Sequence, residues 1–285
     1  MGILVSKESG IIVQGMTGSQ GKKHTRYMKE YGTNIVAGVT PGKGSQTVEG
    51  FPIYDSIPDA LEKHSAQWSV IFVPAPFAKK AALEALENDL NIVLITEGVP
   101  VLDALEVVKF AKEKNKIMIG PNCPGVTTVG ETKLGIMPNN VFCKKGNIGL
   151  VSRSGTLTYE IVQILNEHNL GQTTVVGIGG DPIPGMTFID VLHYFENDPQ
   201  TEKIVLAGEI GGTMEEEAAS YIEKHVTKPV TAYIVGITAP PEKQMGHAGA
   251  IISQSAGTAQ SKIEALEKAG VKVARLAKEV VNYLK

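Results

Sequence analysis

The sequence has few cysteines, little excess charge and no long apolar run. Its two cysteines, Cys123 and Cys143, match neither a metal-ligand spacing nor a C-x-x-C motif, so we expect free thiols in a reducing compartment. Lys plus Arg (27) nearly equals Asp plus Glu (30), which argues against binding to nucleic acid or to an anionic membrane surface. No apolar run approaches the roughly 18–20 residues of a membrane span. The N-terminus shows no targeting pattern, and we expect a cytoplasmic protein.

Short Val- and Ile-rich runs alternate along the chain with segments whose apolar residues recur every three or four positions. The runs lack in–out alternation, which is typical of parallel strands that are covered on both faces. We expect strands at 11–14, 34–38, 69–73, 92–96, 117–119, 148–152, 174–178, 204–209, 231–235 and 271–275. We expect helices at 58–64, 78–88, 103–114, 157–166, 188–195, 214–224 and 259–268. This alternation predicts an α/β fold with doubly wound sheets.

A long stretch rich in Gly, Pro and Asn, at 121–146, shows no clear periodicity. A break of that kind predicts a connection between two domains. We therefore expect two α/β domains, at 1–122 and 123–285. Ligands of such sheets bind where the strands end and loops pass into helix N-termini, so function is sought in those loops.

The first of these loops runs from Gly15 to Gly21 and has the spacing G-x-x-G-x-x-G. Glycines before a helix let the backbone approach an anion, but the dinucleotide fingerprint G-x-G-x-x-G is absent, which disfavours a nicotinamide-dependent dehydrogenase. The next strand runs into a Thr-Pro-Gly-Lys-Gly segment that places Lys43 where a dinucleotide enzyme has a carboxylate. Lys43 suits a phosphate on a nucleotide ribose, or is a solvated lysine in a tight turn. Neither loop is a P-loop.

Small hydroxyl residues mark a strand-to-helix turn in the second half, at Ser154, Gly155 and Thr156. Such a turn either holds an oxyanion on free amides or is a simple N-cap. Ser152 and Thr156 stand where a nucleophile elbow needs glycine, which disfavours a serine hydrolase. Thr96 and Glu97 follow a first-half strand and either contact a ligand or cap the next helix.

His247 lies among small residues, in Met-Gly-His-Ala-Gly-Ala. A lone histidine is more often structural than catalytic, but small flanks suit a ring that must accept a bulky group. Glu209 ends an apolar strand, where it is either a buried carboxylate with a partner or a surface acid. Thr213 and Glu216 have the spacing of a capping box.

Nine segments of the chain, taken together and in order, resemble the α subunit of succinate–CoA ligases. The segments are GMTGSQG, TPGKG, VPAPF, ITEGVP, GPNCPG, SRSGTLTYE, GIGGDPIPG, GEIGG and MGHAGA. The resemblance covers essentially the whole chain. It implies an N-terminal Rossmann-like CoA-binding domain followed by a flavodoxin-like, doubly wound ligase domain.

The resemblance also implies site residues. CoA would be bound by Thr17, Gly18, Ser19, Gln20, Lys43, Thr96, Glu97 and Gly98. His247 would be transiently phosphorylated, with Glu209 hydrogen-bonded to its ring and Ser154, Gly155 and Thr156 around the phosphoryl group. Tyr159 would lie near the CoA-thioester site, and a mobile loop at 246–249 would carry the phosphohistidine to a nucleotide.

The partner implied by the resemblance is a β subunit with an ATP-grasp fold, in an αβ heterodimer or an α2β2 heterotetramer. That subunit would hold Mg²⁺ and ADP/ATP or GDP/GTP, with no metal on this chain. The expected reaction couples cleavage of succinyl-CoA by phosphate to nucleoside triphosphate synthesis in the tricarboxylic acid cycle. The alternatives are a related ligase for malate or acetate, and a non-catalytic CoA-binding protein.

Overall fold

Seven strands in the first half of the chain form one sheet. The computed structural model describes residues 2–240, 242–252 and 257–284. The strands are β1 (Ile11–Gln14), β2 (Ile35–Val39), β3 (Thr47–Val48), β4 (Phe51–Tyr54), β5 (Trp68–Ile71), β6 (Asn91–Leu94) and β7 (Met118–Ile119). Their spatial order is β3-β4-β2-β1-β5-β6-β7, with β3 antiparallel to β4 and the other pairs parallel. The six parallel strands therefore have the order 3-2-1-4-5-6 of a Rossmann fold.

Four helices cover this sheet. They are α1 (Ser19–Tyr31), α2 (Ile57–Leu61), α3 (Ala75–Glu87) and α4 (Val101–Glu113). Helix α1 follows the glycine loop directly and ends at Gly32, whose φ of 101° lies in the left-handed region that favours glycine. Helix α2 begins at Ser56, whose side chain accepts a hydrogen bond from the Asp59 amide.

The second half forms a second seven-stranded sheet. Its strands are β8 (Gly125–Thr128), β9 (Thr132–Gly135), β10 (Lys145–Ser152), β11 (Gln172–Gly177), β12 (Lys203–Glu209), β13 (Val230–Val235) and β14 (Lys272–Ala274). Its helices are α5 (Gly155–Glu167), α6 (Phe188–Asn197), α7 (Met214–His225), α8 (Ala259–Lys268) and a 3₁₀ helix, Ala277–Tyr283. The spatial order is β14-β13-β12-β10-β11-β8-β9. Strands β10 to β14 are parallel and have the flavodoxin order 2-1-3-4-5.

The fold class predicted from the sequence is confirmed, and every predicted strand is present. The expectation that 121–146 lacks regular structure is wrong, because β8 and β9 form an antiparallel hairpin there that pairs with β11. Both hairpin strands are buried throughout, but their Gly, Thr and Lys residues interrupt the continuous apolar run that marks the other covered strands in the sequence. The division at 122 and 123 stays a prediction; it falls between β7 and β8, where one sheet ends and the other begins. None of the helices in the described ranges is long and apolar enough to cross a membrane.

The two halves pack against each other over a shared apolar cluster. That cluster contains Val13 and Val70 of the first sheet together with Val126 and Val176 of the second. The residues that follow helix α1 contact β9 at this boundary between the halves, here called the seam. The Thr33 hydroxyl donates to the Lys133 carbonyl at 2.7 Å and accepts from the Lys133 amide at 3.1 Å. The halves are therefore joined by polar as well as apolar contacts.

Candidate active site

The loop between β1 and α1 is built by close backbone packing. Gly15 has a φ of 75°, and a Cβ there would lie 3.2 Å from the Phe72 backbone. A Cβ at Gly21 would lie 2.1 Å from the Gly15 carbonyl oxygen. Helix α1 begins at Gly18 without a side-chain cap. Its first amides are therefore left for a ligand, as in sites that bind phosphate at a helix N-terminus.

A cavity of about 830 Å³ opens beside this loop, which we call the large cavity. It lies at the ends of β1, β2 and β5, where the strand order reverses and ligands of such sheets bind. Of the residues predicted to bind CoA, those lining it are Thr17, Gly18, Ser19, Gln20, Thr96 and Glu97. Lys43 and Gly98 are not among its lining residues. Phe72 and Phe77 also line it; neither was predicted, because one half-buried and one exposed aromatic have no spacing that marks a site.

The Thr96 side chain does not cap a helix. Its hydroxyl donates to the Val73 carbonyl at 2.7 Å, and the N-cap of α4 is Pro100. Thr17 donates to the Thr40 hydroxyl at 3.3 Å across the mouth of the loops that follow β1 and β2. These bonds tie four loops around the large cavity in two pairs, the loop after β6 to the loop after β5 and the loop after β1 to the loop after β2.

His24, one turn beyond the glycine loop, stacks on Phe72 with ring centroids 5.7 Å apart and planes 3° from parallel. Burial lowers the pKa of His24 to about 4, and the Lys133 charge acts in the same direction. Its Nδ1 is buried without a hydrogen-bond partner in the described part of the chain. The ring is therefore neutral at physiological pH and supports the Phe72 wall of the large cavity.

His247 is paired with Glu209. Its Nδ1 lies 2.9 Å from Glu209 Oε2 and 3.1 Å from Oε1. A carboxylate can only accept, so Nδ1–H is the donor and Nε2 carries the free lone pair of the neutral ring. The hydrogen bond with Glu209 raises the pKa of His247 above its usual value, while burial and the Arg153 charge oppose that rise. Glu209 is buried, so the reading of it as a surface acid is wrong.

The histidine ring packs directly on the loop that follows β11. A Cβ at Gly180 would lie 2.3 Å from His247 Cγ, so only glycine fits at this position. The amide of Gly249 donates to the Gly180 carbonyl at 3.0 Å. This pairing fixes the His247 segment against the second sheet.

Buried charges surround Glu209. Arg153 follows β10, and its Nε lies 3.7 Å from Glu209 Oε1 with no hydrogen-bond partner among the described residues. Arg153 also donates to Glu215 Oε1 at 3.1 Å, and Glu215 accepts from the Glu209 amide at 3.2 Å. Lys262 on α8 lies 2.5 Å from the other Glu215 oxygen. The four groups, here named the charge cluster, bury two positive and two negative charges together, as buried ions require.

The charge cluster was not predicted. Arg153 lies in the SRSGTLTYE segment, but a charged residue gives no sign of burial until its partners are known. The predicted capping box of Thr213 and Glu216 is wrong: the Thr213 side chain caps no amide and donates instead to Glu217. The Glu216 carboxylate accepts a hydrogen bond from Lys262 of the charge cluster at 3.0 Å. It is therefore not directed back to the helix N-terminus, as a capping box requires.

Ser154 is the N-cap of α5. Its side chain accepts from the Leu157 amide at 3.4 Å. The amides of Gly155 and Thr156 make no hydrogen bond in the described part of the chain, which leaves them for an anion. No hydrogen bond of the described residues joins this turn to His247, although the neighbouring Arg153 contacts Glu209.

Tyr159 lies one turn into α5 and lines neither cavity described here. Its ring contacts Phe142 edge-on, with centroids 5.7 Å apart. Burial raises the pKa of Tyr159 to about 12. Its hydroxyl lies 3.8 Å from a Cβ built at Gly155, so the residue is beside the Ser154 turn rather than in the large cavity.

A small cavity of about 120 Å³ lies between the two halves. Its walls include Glu97 and Gly98 from the loop after β6, Asp181 from the loop after β11, and Ala248 beside His247. Glu97 lines the large cavity as well. Within the described residues, no group of three or more His, Cys, Asp or Glu side chains is placed to hold a metal ion.

The chain matches two protein-family models. The model described as a CoA binding domain matches residues 6–98, and the model described as a CoA-ligase matches residues 151–272. The first match contains the glycine loop and most of the large cavity. The second contains Arg153, Glu209 and His247.

Similar proteins match over essentially the full length of this chain. The solved structure of ATP citrate lyase from Methanosaeta concilii, in complex with (3S)-citryl-CoA, is 28% identical with a TM-score of 0.89. That match covers 99% of this chain and 51% of the other, so this chain spans about half the length of that lyase. The succinate–CoA ligase [ADP-forming] subunit alpha 2 of Archaeoglobus fulgidus is 54% identical, covering 99% of this chain and 98% of the relative. The corresponding alpha subunit of Aquifex aeolicus is 55% identical over 100% of this chain and 95% of its own length. The chain therefore belongs to the family of succinate–CoA ligase alpha subunits.

Proposed function

We propose that this chain binds CoA and relays a phosphoryl group through His247 in a succinate–CoA ligase that serves the tricarboxylic acid cycle. The observation that carries the proposal is the His247–Glu209 pair. The Glu209 carboxylate lies 2.9 Å from Nδ1 and accepts its hydrogen bond. The other ring nitrogen, Nε2, is therefore left as the nucleophile. The pair lies beside a cavity that shares Glu97 with the large cavity.

In the proposed reaction, inorganic phosphate displaces CoA from succinyl-CoA to give succinyl phosphate. His247 Nε2 then attacks phosphorus and releases succinate. Positive charge develops on the ring as the N–P bond forms, and the Glu209 carboxylate stabilises that charge. The same interaction raises the pKa of His247, so part of the free histidine is protonated at neutral pH and must lose a proton before it attacks.

The turn at Ser154, Gly155 and Thr156 is the proposed phosphate site. It offers the unbonded first amides of a thirteen-residue helix and the positive end of its dipole. Arg153 adds a charge next to the turn. Tyr159, whose hydroxyl is near Gly155, is proposed to limit the size of the acyl group rather than to contact CoA.

CoA is proposed to occupy the large cavity. Thr17, Gly18, Ser19 and Gln20 line it with the start of α1, which suits the diphosphate, and Phe72 and Phe77 offer apolar surface. Thr96 and Glu97 would lie along the pantetheine arm, and Gly98 at the entrance to the small cavity. Lys43 lies outside the lining, so its contact with the ribose phosphate needs a movement of the Thr40–Gly44 turn.

The nucleotide is proposed to bind to a partner β subunit of the ATP-grasp class. The relatives are named as subunits, and no P-loop occurs in this chain. Mg²⁺ and the nucleotide belong to that partner in this proposal, in an αβ or α2β2 assembly in the cytoplasm. The relatives are named as ADP-forming ligases, which favours ADP over GDP.

The proposal is tested with the chain purified together with its partner subunit. Incubation with γ-labelled ATP or GTP should give an acid-labile, base-stable label on the wild type and none on His247→Ala. His168→Ala, which alters an exposed histidine bonded to the Ile164 carbonyl, is the matched control. Discharge of the label by succinate plus CoA supports a succinate ligase, and discharge by malate or acetate instead supports the corresponding relative. CoA binding without any label would leave a non-catalytic CoA-binding protein.

A further inference from the structure

The small cavity shares a lining residue with the large cavity and borders the segment that carries His247. Glu97 belongs to both cavities, and Ala248 is the next residue after the histidine. A thioester held by CoA in the large cavity must bring its sulfur close to the phosphate that His247 accepts. The sulfur is therefore expected in or beside the small cavity.

Asp181 is the fixed carboxyl group of that cavity. It is 6% exposed, and its Oδ1 accepts from the Asn122 side-chain amide at 2.9 Å. No hydrogen bond of the described residues uses its Oδ2, although the residue lines the cavity. Asp181 directly follows Gly180, on which the His247 ring packs. One carboxyl oxygen is thus anchored while the other is left for a ligand.

We propose that Asp181 exchanges a proton with the sulfur of CoA. The inference rests on the proposed function and names a further catalytic residue for it. In cleavage, a hydrogen phosphate oxygen forms a bond to the thioester carbon, the carbon–sulfur bond breaks, and protonated Asp181 gives its proton to the departing sulfur. The proton lost by hydrogen phosphate restores the acid. In synthesis, the Asp181 carboxylate takes the thiol proton as sulfur attacks the acyl phosphate and phosphate leaves.

The surroundings of Asp181 suit this exchange. Burial raises the pKa of Asp181, the Asn122 hydrogen bond opposes the rise, the Glu97 charge adds to it, and His247 lowers it. A carboxyl group that holds a proton more tightly is closer in acidity to a thiol, which makes transfer in both directions faster. Glu97 and His247 are the charged groups that face it.

Two neighbouring groups are poorer candidates. Glu97 is exposed, and no described hydrogen bond fixes its carboxylate. Cys123 is buried, donates to the Leu94 carbonyl at 3.3 Å and lines neither cavity. Of these three groups, Asp181 combines a fixed orientation with access to the small cavity.

The test separates the thiol step from the histidine step. In the chain purified with its partner subunit, Asp181→Asn should label His247 from γ-labelled ATP at the wild-type rate. Its formation of succinyl-CoA should fall about 100-fold, since general acid–base catalysis contributes about 10²–10⁴. The KM for CoA should stay unchanged, and the loss should nearly disappear with seleno-CoA, because a selenol is ionised without a base.

Matched variants fix the interpretation. Asp89→Asn removes an exposed carboxylate paired with Lys116 and should behave as the wild type, while Glu97→Gln should lose far less than Asp181→Asn. The inference is overturned if Asp181→Asn keeps full succinyl-CoA formation, loses the same factor with seleno-CoA, or fails to label His247. Absence of label on the wild type would instead remove the proposed function, and this inference with it.

Discussion

At the residue scale, the acceptor of the His247 hydrogen bond is held by other charges. Both Glu209 carboxylate oxygens contact Nδ1 of the ring, and the Glu209 backbone amide donates to Glu215. Arg153 lies between the two carboxylates and contacts both. The positive and negative charges of the charge cluster balance, as buried ionic groups require. The cluster thus supplies the negative charge that the histidine needs.

Glu209→Gln tests that charge directly. The glutamine oxygen can still accept from Nδ1–H, so the ring keeps its orientation while the carboxylate charge is lost. Because the Glu209 hydrogen bond is the main cause that raises the pKa of His247, we expect that pKa to fall in an NMR titration. Phosphorylation of His247 should slow about 100-fold. Glu217→Gln, on the exposed face of α7, is the control, and an unchanged pKa in Glu209→Gln would contradict the assignment.

His24 predicts a pH dependence of stability. Its pKa in the folded protein is about 4 against a usual 6.5, so below pH 6.5 the unfolded chain binds a proton that the folded chain does not. The free energy of unfolding should therefore fall as the pH drops from 6.5 to 4, by about 2–3 kcal/mol at about 1.4 kcal/mol per unit.

The measurement is a series of urea unfolding curves between pH 4 and 7. His24→Phe keeps the stack on Phe72 and removes the titrating group, so its stability should fall less over this range. His168→Phe changes an exposed histidine and should follow the wild type. Parallel curves for His24→Phe and the wild type would show that the ring takes up its proton in the folded state.

Residue-level prediction worked where the position in an element carried the signal. Glu209 and His247 were singled out at a strand end and among small flanking residues, the resemblance implied their hydrogen bond, and the structure brings them together. Asp181, Arg153 and Lys262 were not identified, because their roles depend on partners that lie 46 or more positions away in the sequence. Lys43 lies in the loop after β2, as the sequence predicts. The direction of its side chain depends on packing, which the sequence does not show.

At the element scale, the start of α5 combines a helix cap with the proposed phosphate site. Ser154→Ala removes the side-chain acceptor of the Leu157 amide, and loss of an N-cap lowers the free energy of unfolding by about 1 kcal/mol. If the turn also binds phosphate, this variant should raise the KM for phosphate as well as lower stability. Ser56→Ala removes the equivalent cap of α2 and should lower stability without affecting phosphate. Equal effects of the two variants on phosphate kinetics would exclude the turn as the site.

Element prediction followed the length and the flanks of each segment. The long parallel strands and the helices with predicted bounds were placed to within about three residues, since continuous Val and Ile runs between loop signals define them well; no bounds were predicted for α1. Strands β3 and β4 were missed, because β3 has two residues and β4 contains Pro52, a residue that usually argues against a strand. The β8–β9 hairpin was missed for its glycines, Gly125 and Gly135. A Cβ at either would meet the opposite backbone at 1.9 or 2.3 Å, so these glycines serve close pairing rather than a break.

At the scale of the whole molecule, Lys133 lies at the seam between the halves. It belongs to β9 of the second sheet, and its Nζ donates to the Met137 carbonyl at 2.8 Å and to Asn139 at 2.5 Å. The same Nζ lies 5.9 Å from the Tyr27 ring and 5.8 Å from the Tyr31 ring of α1. The side chain is fully buried, and burial lowers its pKa to about 8. The seam therefore contains a titrating group.

Replacement of Lys133 should remove a rise in stability at alkaline pH. Between pH 8 and the usual lysine value of 10.5, the unfolded chain binds a proton that the folded chain has released. The free energy of unfolding should therefore increase with pH across this window, by about 3 kcal/mol at most. Lys133→Met keeps the length of the side chain and should lack the increase, while Lys109→Met, an exposed partner of Glu113, should keep it. Urea unfolding from pH 7.5 to 10 measures the difference, and an equal slope for Lys133→Met and the wild type would mean that the seam holds the lysine charged throughout.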